Sequence, residues 1–141
     1  MTLLVDTSVL LKWFHEDGES EVEQARALLR AHRAGQERLL VLDLAAYELG
    51  NVLLRPLGLP ALVVAAQVRL LLTLCGPLLH MRPSWLDAAA DLGERHGLTY
   101  YDASWAAAAQ ALQCPLVSAD RLLVRNGLAV TATAATAGLA G

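Results

Sequence analysis

The stretch Leu3-Leu4-Val5-Asp6-Thr7-Ser8-Val9-Leu10-Leu11-Lys12-Trp13-Phe14 decides how the rest of the chain is read. Its first three residues are a short, continuous apolar run, the mark of a strand covered on both faces. An acid and two hydroxyls follow at once, and such side chains accept hydrogen bonds from the first N–H groups of a helix. The stretch therefore predicts a buried strand that ends at Asp6 and turns straight into a helix reaching Trp13 or Phe14.

Outward from there the same alternation recurs. Gly18 breaks the chain, and Ser20 with Glu23 predicts a capping box. The helix it opens carries Val22, Ala25, Leu28 and Leu29 on one face up to Gly35. Residues 39–42 form a second apolar run. Asp43 then opens a helix that Pro56 stops, and Pro60 starts another over residues 61–74. Residues 78–81 predict a short third strand. Ser84 with Asp87 marks a further helix start, closed by a left-handed cap at Gly97. Asp102 is placed to cap a helix over residues 103–113, which Pro115 ends. Leu116-Val117-Ser118 is a strand leading to Asp120, and a helical turn and a last strand at 128–132 follow. Strands alternating with helices predict an α/β fold: a three-layer α/β/α sandwich around a parallel sheet of four to five strands. Residues 1–132 are read as one domain, and the small-residue-rich tail 133–141 is expected to fray.

Composition narrows the class. At 141 residues the chain suits a single domain. Hydrophobic residues make up 55% of it, which favours an apolar contact with a partner or a second copy. Membrane insertion is not expected: the most apolar stretch, residues 57–79, is cut by Gly58, Pro60, Gln67, Arg69, Gly76 and Pro77. A spanning helix needs about 20 largely apolar residues. The first apolar run meets Asp6 with no basic segment before it, unlike a signal peptide. Cys75 and Cys114 show no metal or redox spacing, so a reduced, cytoplasmic setting is expected. Net charge is −3, but setting aside Asp6, Glu48, Asp102 and Asp120 leaves 10 acids against 11 basic residues. Charge thus neither supports nor excludes a nucleic-acid partner.

In open parallel sheets, ligands bind beyond the carboxyl ends of the strands. Asp6 and Asp120 fall just past two predicted strands, Glu48 on the first turns of the helix after the second, and Asp102 at a helix N-terminus. Four carboxylates from distant parts of the chain can therefore meet on one rim. Gathered acids repel unless a cation intervenes. Oxygen donors without a cysteine or histidine pattern select hard ions, Mg²⁺ or Mn²⁺, and such sites suit phosphoryl chemistry. Spacing alone leaves a second reading level with this one, in which the aspartates cap helices and Glu48 is a solvated helix residue.

Four motifs, in order, resemble the PIN-domain family, in particular the toxin ribonucleases of bacterial VapBC toxin–antitoxin pairs. They are the opening stretch from Leu4 to Phe14, Tyr47-Glu48-Leu49-Gly50-Asn51-Val52-Leu53, His96-Gly97-Leu98-Thr99-Tyr100-Tyr101-Asp102-Ala103, and Leu116-Val117-Ser118-Ala119-Asp120-Arg121-Leu122-Leu123. The resemblance spans roughly Leu3 to Leu123 and implies a metal-dependent endoribonuclease. It makes Asp6, Glu48, Asp102 and Asp120 the acidic metal-site residues, with Ser8 and Ser118 assisting by hydrogen bonding. Ser118 stands where the family often has threonine, which keeps the hydroxyl. The resemblance also implies an RNA substrate, an antitoxin partner and a homodimer. Asn51, three residues after Glu48 on the same helical face, can orient Glu48 or a metal-bound water, or else satisfy backbone. Lys12 can contact phosphate or face solvent; Trp13 and Phe14 read as core.

Other classes fit less well. The four histidines lack H-x-x-x-H and H-E-x-x-H spacing, and no G-x-S-x-G elbow or glycine-rich phosphate loop occurs. A phosphoacceptor receiver domain needs paired acids after its first strand and a late lysine; here Thr7 follows Asp6 and Lys12 is the only lysine. A haloacid-dehalogenase phosphatase needs Asp-x-Asp, and position 8 is serine. Within the family, the alternatives are an RNA-maturation nuclease without an antitoxin and a catalytically silent binding module.

Overall fold

The computed structural model describes residues 1–139 and is organised around β1 (Thr2–Val5). Parallel strands flank it on both sides, β2 (Arg38–Leu40) and β3 (Leu116–Val117), in the order β2-β1-β3. Leu3, Leu4 and Val5 are all buried. Successive strand residues point to opposite faces, so burial of all three means that both faces of the sheet are covered by helices. The α/β expectation stands.

The expected four to five strands reduce to three regular ones and two single bridges. Leu42 bridges Leu79 in parallel beyond β2, and Val117 bridges Val130 beyond β3. Each edge segment pairs through one residue only. Leu79 donates to Val41 and accepts from Asp43, and by Pro83 the chain is already helical. Five segments still lie side by side, with β1 at the centre and its C-terminal end beside that of β3.

Around the sheet run α1 (Thr7–Leu10), continued by a 3-10 turn, α2 (Val22–Arg33), α3 (Leu44–Leu54), α4 (Ala61–Cys75), α5 (Pro83–His96), α6 (Tyr100–Leu112), α7 (Arg121–Arg125) and α8 (Ala132–Thr136). Several starts differ from expectation for identifiable reasons. The Ser20–Glu23 capping box does not form. Glu23 pairs with Arg30 at 2.6 Å, and Glu21, with φ of 53°, occupies the cap position of α2. Its carboxylate accepts from the backbone N–H of Thr133 at 2.8 Å, at the start of α8. The tail read as fraying from Thr133 is accordingly helical through Thr136, with a 3-10 turn to Leu139; residues 140–141 lie outside the described residues. Helix α6 begins at Tyr100 because Thr99 takes the cap, its hydroxyl accepting from Asp102 N at 3.1 Å. Helix α5 begins at Pro83, whose fixed φ suits a first helical position. Gly97 closes it in the left-handed region, φ 64°, as expected.

Helix α4 buries only Leu71 and Cys75 fully, leaving Leu62, Val63, Leu70 and Leu72 exposed. Neighbouring helices of the same chain therefore do not cover it. Lys12 neither faces solvent nor awaits a phosphate: it is buried and pairs with Glu19 at 3.0 Å. Trp13 donates to the Ala25 carbonyl at 2.7 Å, locking the first turn onto α2. No described helix is long and apolar enough to cross a membrane. Both cysteines are free thiols, and burial pushes the Cys75 thiol up to about 12.

Candidate active site

The four acids line one cavity of about 290 Å³, together with Thr7, Ser8, Leu11, Val52 and Trp105. Each arrives on a different element. Asp6 follows β1 and caps α1; Asp120 lies two residues past Ser118 and caps α7. Glu48 projects from α3 and Asp102 from the first turn of α6. The capping and rim readings turn out to be compatible for Asp6 and Asp120. One oxygen of each serves the backbone, since Asp6 Oδ1 accepts from Ser8 N at 3.1 Å and Asp120 Oδ1 from Leu122 N and Leu123 N at 2.9 and 3.0 Å. Asp43, also read as opening a helix, makes no side-chain cap and instead holds His80 at 2.8 Å.

Hydroxyls stitch the strand ends together. Ser8 Oγ donates to Asp6 Oδ1 and accepts from Ala119 N at 2.8 Å, while Ser118 Oγ accepts from Asp120 N at 3.0 Å. The two hydroxyl oxygens stand 3.4 Å apart. Ser8 and Ser118 thus join the loops after β1 and β3, which carry Asp6 and Asp120 to the same cavity.

Glu48 is held by two residues that sequence reasoning did not single out. Its Oε1 accepts from Thr7 Oγ1 at 2.8 Å and from the indole N–H of Trp105 at 2.9 Å. One signal existed for the second: Trp105 lies three residues after Asp102 and so shares its helical face. Asn51 does not orient Glu48 directly. It is exposed, lines an adjoining cavity with Glu48, and donates no hydrogen bond to it among the described residues.

The electrostatics are those of crowded acids. Burial pushes Asp6 up to about 6, against hydrogen bonding by Ser118, Ser8 and the Val9 N–H, with the charge of Asp102 adding to the rise. Asp102 is raised by burial, then by Asp120 and Glu48, with the Thr99 hydroxyl opposing. Glu48 Oε2 and Asp120 Oδ2 accept no hydrogen bond among the described residues, and the Asp102 carboxylate has the Thr99 hydroxyl beside it. No three acidic, histidine or cysteine side chains among the described residues meet closely enough to enclose one ion. Mg²⁺, however, keeps several waters and is held by one or two carboxylates plus substrate phosphates. An oxygen-only donor set with open lone pairs and mutual repulsion fits that mode.

The profile of the PIN domain matches residues 3–127. The chain belongs to the PIN-domain family. Among solved structures it is similar to PAE2754 from Pyrobaculum aerophilum, with 28% identity, TM-score 0.68, and 99% of this chain and 98% of that one covered. It is also similar to VapC20 of Mycobacterium tuberculosis, a sarcin-ricin-loop-cleaving toxin, with 17% identity, TM-score 0.69, and 89% and 95% covered. A third is VapBC2 of Rickettsia felis bound to promoter DNA, with 13% identity, TM-score 0.69, and 93% and 97% covered. The last two likenesses attest the fold alone. No curated protein sequence is significantly similar.

Proposed function

We propose that this protein is a divalent-metal-dependent endoribonuclease acting as the toxin of a toxin–antitoxin pair. The observation that carries the reading is the meeting of Asp6, Glu48, Asp102 and Asp120, from four separate elements, on one cavity at the carboxyl end of a parallel sheet. In this reading Asp6, Glu48, Asp102 and Asp120 hold Mg²⁺ or Mn²⁺. Such an ion, when bound, lowers the pKa of water and neutralises charge on a phosphodiester.

The chain's own residues do the positioning. Ser8 and Ser118 tie together the loops that carry Asp6 and Asp120; Thr7 and Trp105 hold one oxygen of Glu48 and leave the other for the cavity. Water attacks phosphorus, the phosphorus–oxygen bond to the leaving nucleotide breaks, and the leaving oxygen takes up a proton. Burial raises Asp6 and Asp102 and their acidic neighbours add to the rise, a share of the cost that a bound cation would offset.

The antitoxin partner is supported by the fold neighbours that are toxin–antitoxin assemblies, including one from Klebsiella pneumoniae. The homodimer is supported by the exposed apolar side of α4. A cytoplasmic location accords with an RNA substrate and two free thiols.

Cleavage of total RNA by the wild type and by Asp6→Asn, with and without Mg²⁺ or Mn²⁺, tests the activity. Cleavage by the wild type alone, and only with metal, is expected. Equal cleavage by Asp6→Asn, or cleavage undiminished in chelator, overturns the reading.

A further inference from the structure

Beside the acid cavity lies a second one of about 390 Å³, lined by Leu44, Tyr47, Glu48, Asn51, Val52 and Tyr101. Glu48 and Val52 line both. A group seated in the second cavity is therefore next to whatever is bound at the first. Its volume lies in the range of about 300–1,000 Å³ typical of small-molecule sites.

The distribution of aromatic residues is telling. The tryptophans are put to structural use: Trp105 and Trp85 are buried, and Trp13 is anchored to α2. The tyrosines all sit at the surface, and Tyr100 spends its hydroxyl on the Leu86 carbonyl at 2.9 Å. Tyr47 and Tyr101, by contrast, are 76% and 61% exposed and their hydroxyls have no hydrogen-bond partner among the described residues. They come from α3 and α6, the two helices that also supply Glu48 and Asp102, and both line this cavity. Each is the immediate chain neighbour of one of those acids. Asn51 adds an amide that can both donate and accept, and it too has no side-chain hydrogen bond among the described residues.

We infer that Tyr47, Tyr101 and Asn51 form a subsite for an unpaired nucleobase next to the phosphodiester that is cut. The inference rests on the ribonuclease reading above and deepens it by naming the residues that hold a base beside the cut. Exposed aromatic rings stack with any base, and sequence-selective recognition of RNA works on single-stranded segments whose bases can be splayed out. The cavity has no basic residue in its lining, and Glu48 is its only charged one, so it suits a base rather than the phosphate backbone. The asparagine amide is suited to reading a base edge. The base flanking the cut is thus held between α3 and α6.

The test uses Asp6→Asn protein, which binds without cutting, and a single-stranded RNA oligonucleotide carrying 2-aminopurine, whose fluorescence is quenched on stacking. The same oligonucleotide annealed to its complement is the control. Quenching with the single strand only is expected, lost in Tyr47→Ala and Tyr101→Ala and kept in Tyr47→Phe and Tyr101→Phe. In the cleaving protein the alanine variants should raise KM about ten-fold, the effect of losing one base–aromatic stack, with a smaller change in kcat. Circular dichroism establishes that the variants fold. Cleavage with KM unmoved by the alanine variants overturns the subsite and leaves the nuclease reading intact. Quenching without cleavage by the wild type does the reverse. If the alanine variants keep RNA binding and lose only a protein partner, the cavity is a protein-docking groove and the inference fails.

Discussion

Trp105 donates its indole N–H to Glu48 Oε1 at 2.9 Å, tying α6 to a carboxylate 57 residues earlier on α3. Thr7, at the start of α1, donates to the same oxygen at 2.8 Å. Glu48 is thereby held from both sides by groups that are themselves fixed, Trp105 by burial and Thr7 by the turn after β1. Trp105→Phe keeps most of the ring and removes the donor. Loss of a hydrogen bond to a charged group is worth about 1.5–3 kcal/mol, so RNA cleavage should fall roughly ten- to a hundred-fold in kcat while the protein stays folded. Thr7→Val should fall into the same range. Kinetics on one RNA substrate check both, and full activity in either variant would show that Glu48 needs no such support.

Asp6 provides a pH signature. Its carboxyl is raised to about 6 from an ordinary 3.8, chiefly by burial. The folded state therefore holds this proton more tightly than the unfolded state does. The associated stability is fully present below the unfolded value and is lost as pH rises through about 6. In metal-free buffer, the stability difference between Asp6→Asn and the wild type should grow in favour of the variant from pH 4 to pH 7. Urea denaturation of both proteins across that window measures it; a difference constant with pH would mean that Asp6 is not raised.

Asp102 and Glu48 should separate activity from stability. Asp102 is raised partly by Asp120 and Glu48, so neutralising one acid relieves its neighbours. Asp102→Asn and Glu48→Gln are expected to lose activity by at least about a hundred-fold, the scale of removing a preorganised charge-stabilising group. In the absence of metal they should be as stable as the wild type or more so. Cleavage at the wild-type rate by either purified variant would remove it from the proposed site.

Divalent cations should raise the melting temperature, because a ligand that binds only the folded state stabilises it by mass action. The rise on adding millimolar Mg²⁺ or Mn²⁺ should shrink in Asp6→Asn. Scanning fluorimetry is sufficient, and identical melting curves with metal, without metal and with chelator would count against cation binding by the free protein.

Much of this arrangement was readable because strand ends and helix starts have local signatures. An apolar run stopped by Asp6, and another leading through Ser118 to Asp120, located two acids on one rim before any packing was known. The start of α6 was misplaced at Asp102, because its own spacing to Thr99, that of a capping pair, was outweighed by the cap-forming tendency of aspartate. What stayed hidden depended on distant parts of the chain. Glu21 serves Thr133 across 112 residues, and Lys12 is buried because the loop after α1 brings Glu19 to it. Trp105, in an alanine-rich helix, reads as core and is core; its N–H finds Glu48 only because α3 and α6 flank the same cavity. The edge segments were legible as short apolar runs, but not how far they pair, since such a run carries the same pattern whether it pairs through four residues or through one.

The last prediction concerns α4. Its inward side is anchored by Leu71 and Cys75, both buried, whereas Leu62, Val63, Leu70 and Leu72 face outward. Val63 and Leu70, seven residues apart, share a helical face with Gln67 between them, and Arg69 and Thr73 are the helix's other polar residues. Exposed apolar patches of this kind mark association surfaces. The purified protein should therefore scatter light as a dimer, and Leu70→Glu should yield a folded monomer that keeps RNA cleavage. Leu71→Glu should behave differently: it places a charge where no water reaches, and the chain should unfold rather than dissociate. The contrast between neighbouring positions separates an interface from a core. A wild type that is monomeric at all accessible concentrations, or a Leu70→Glu protein that remains a dimer, would show that second copies of the chain do not meet through this side of α4.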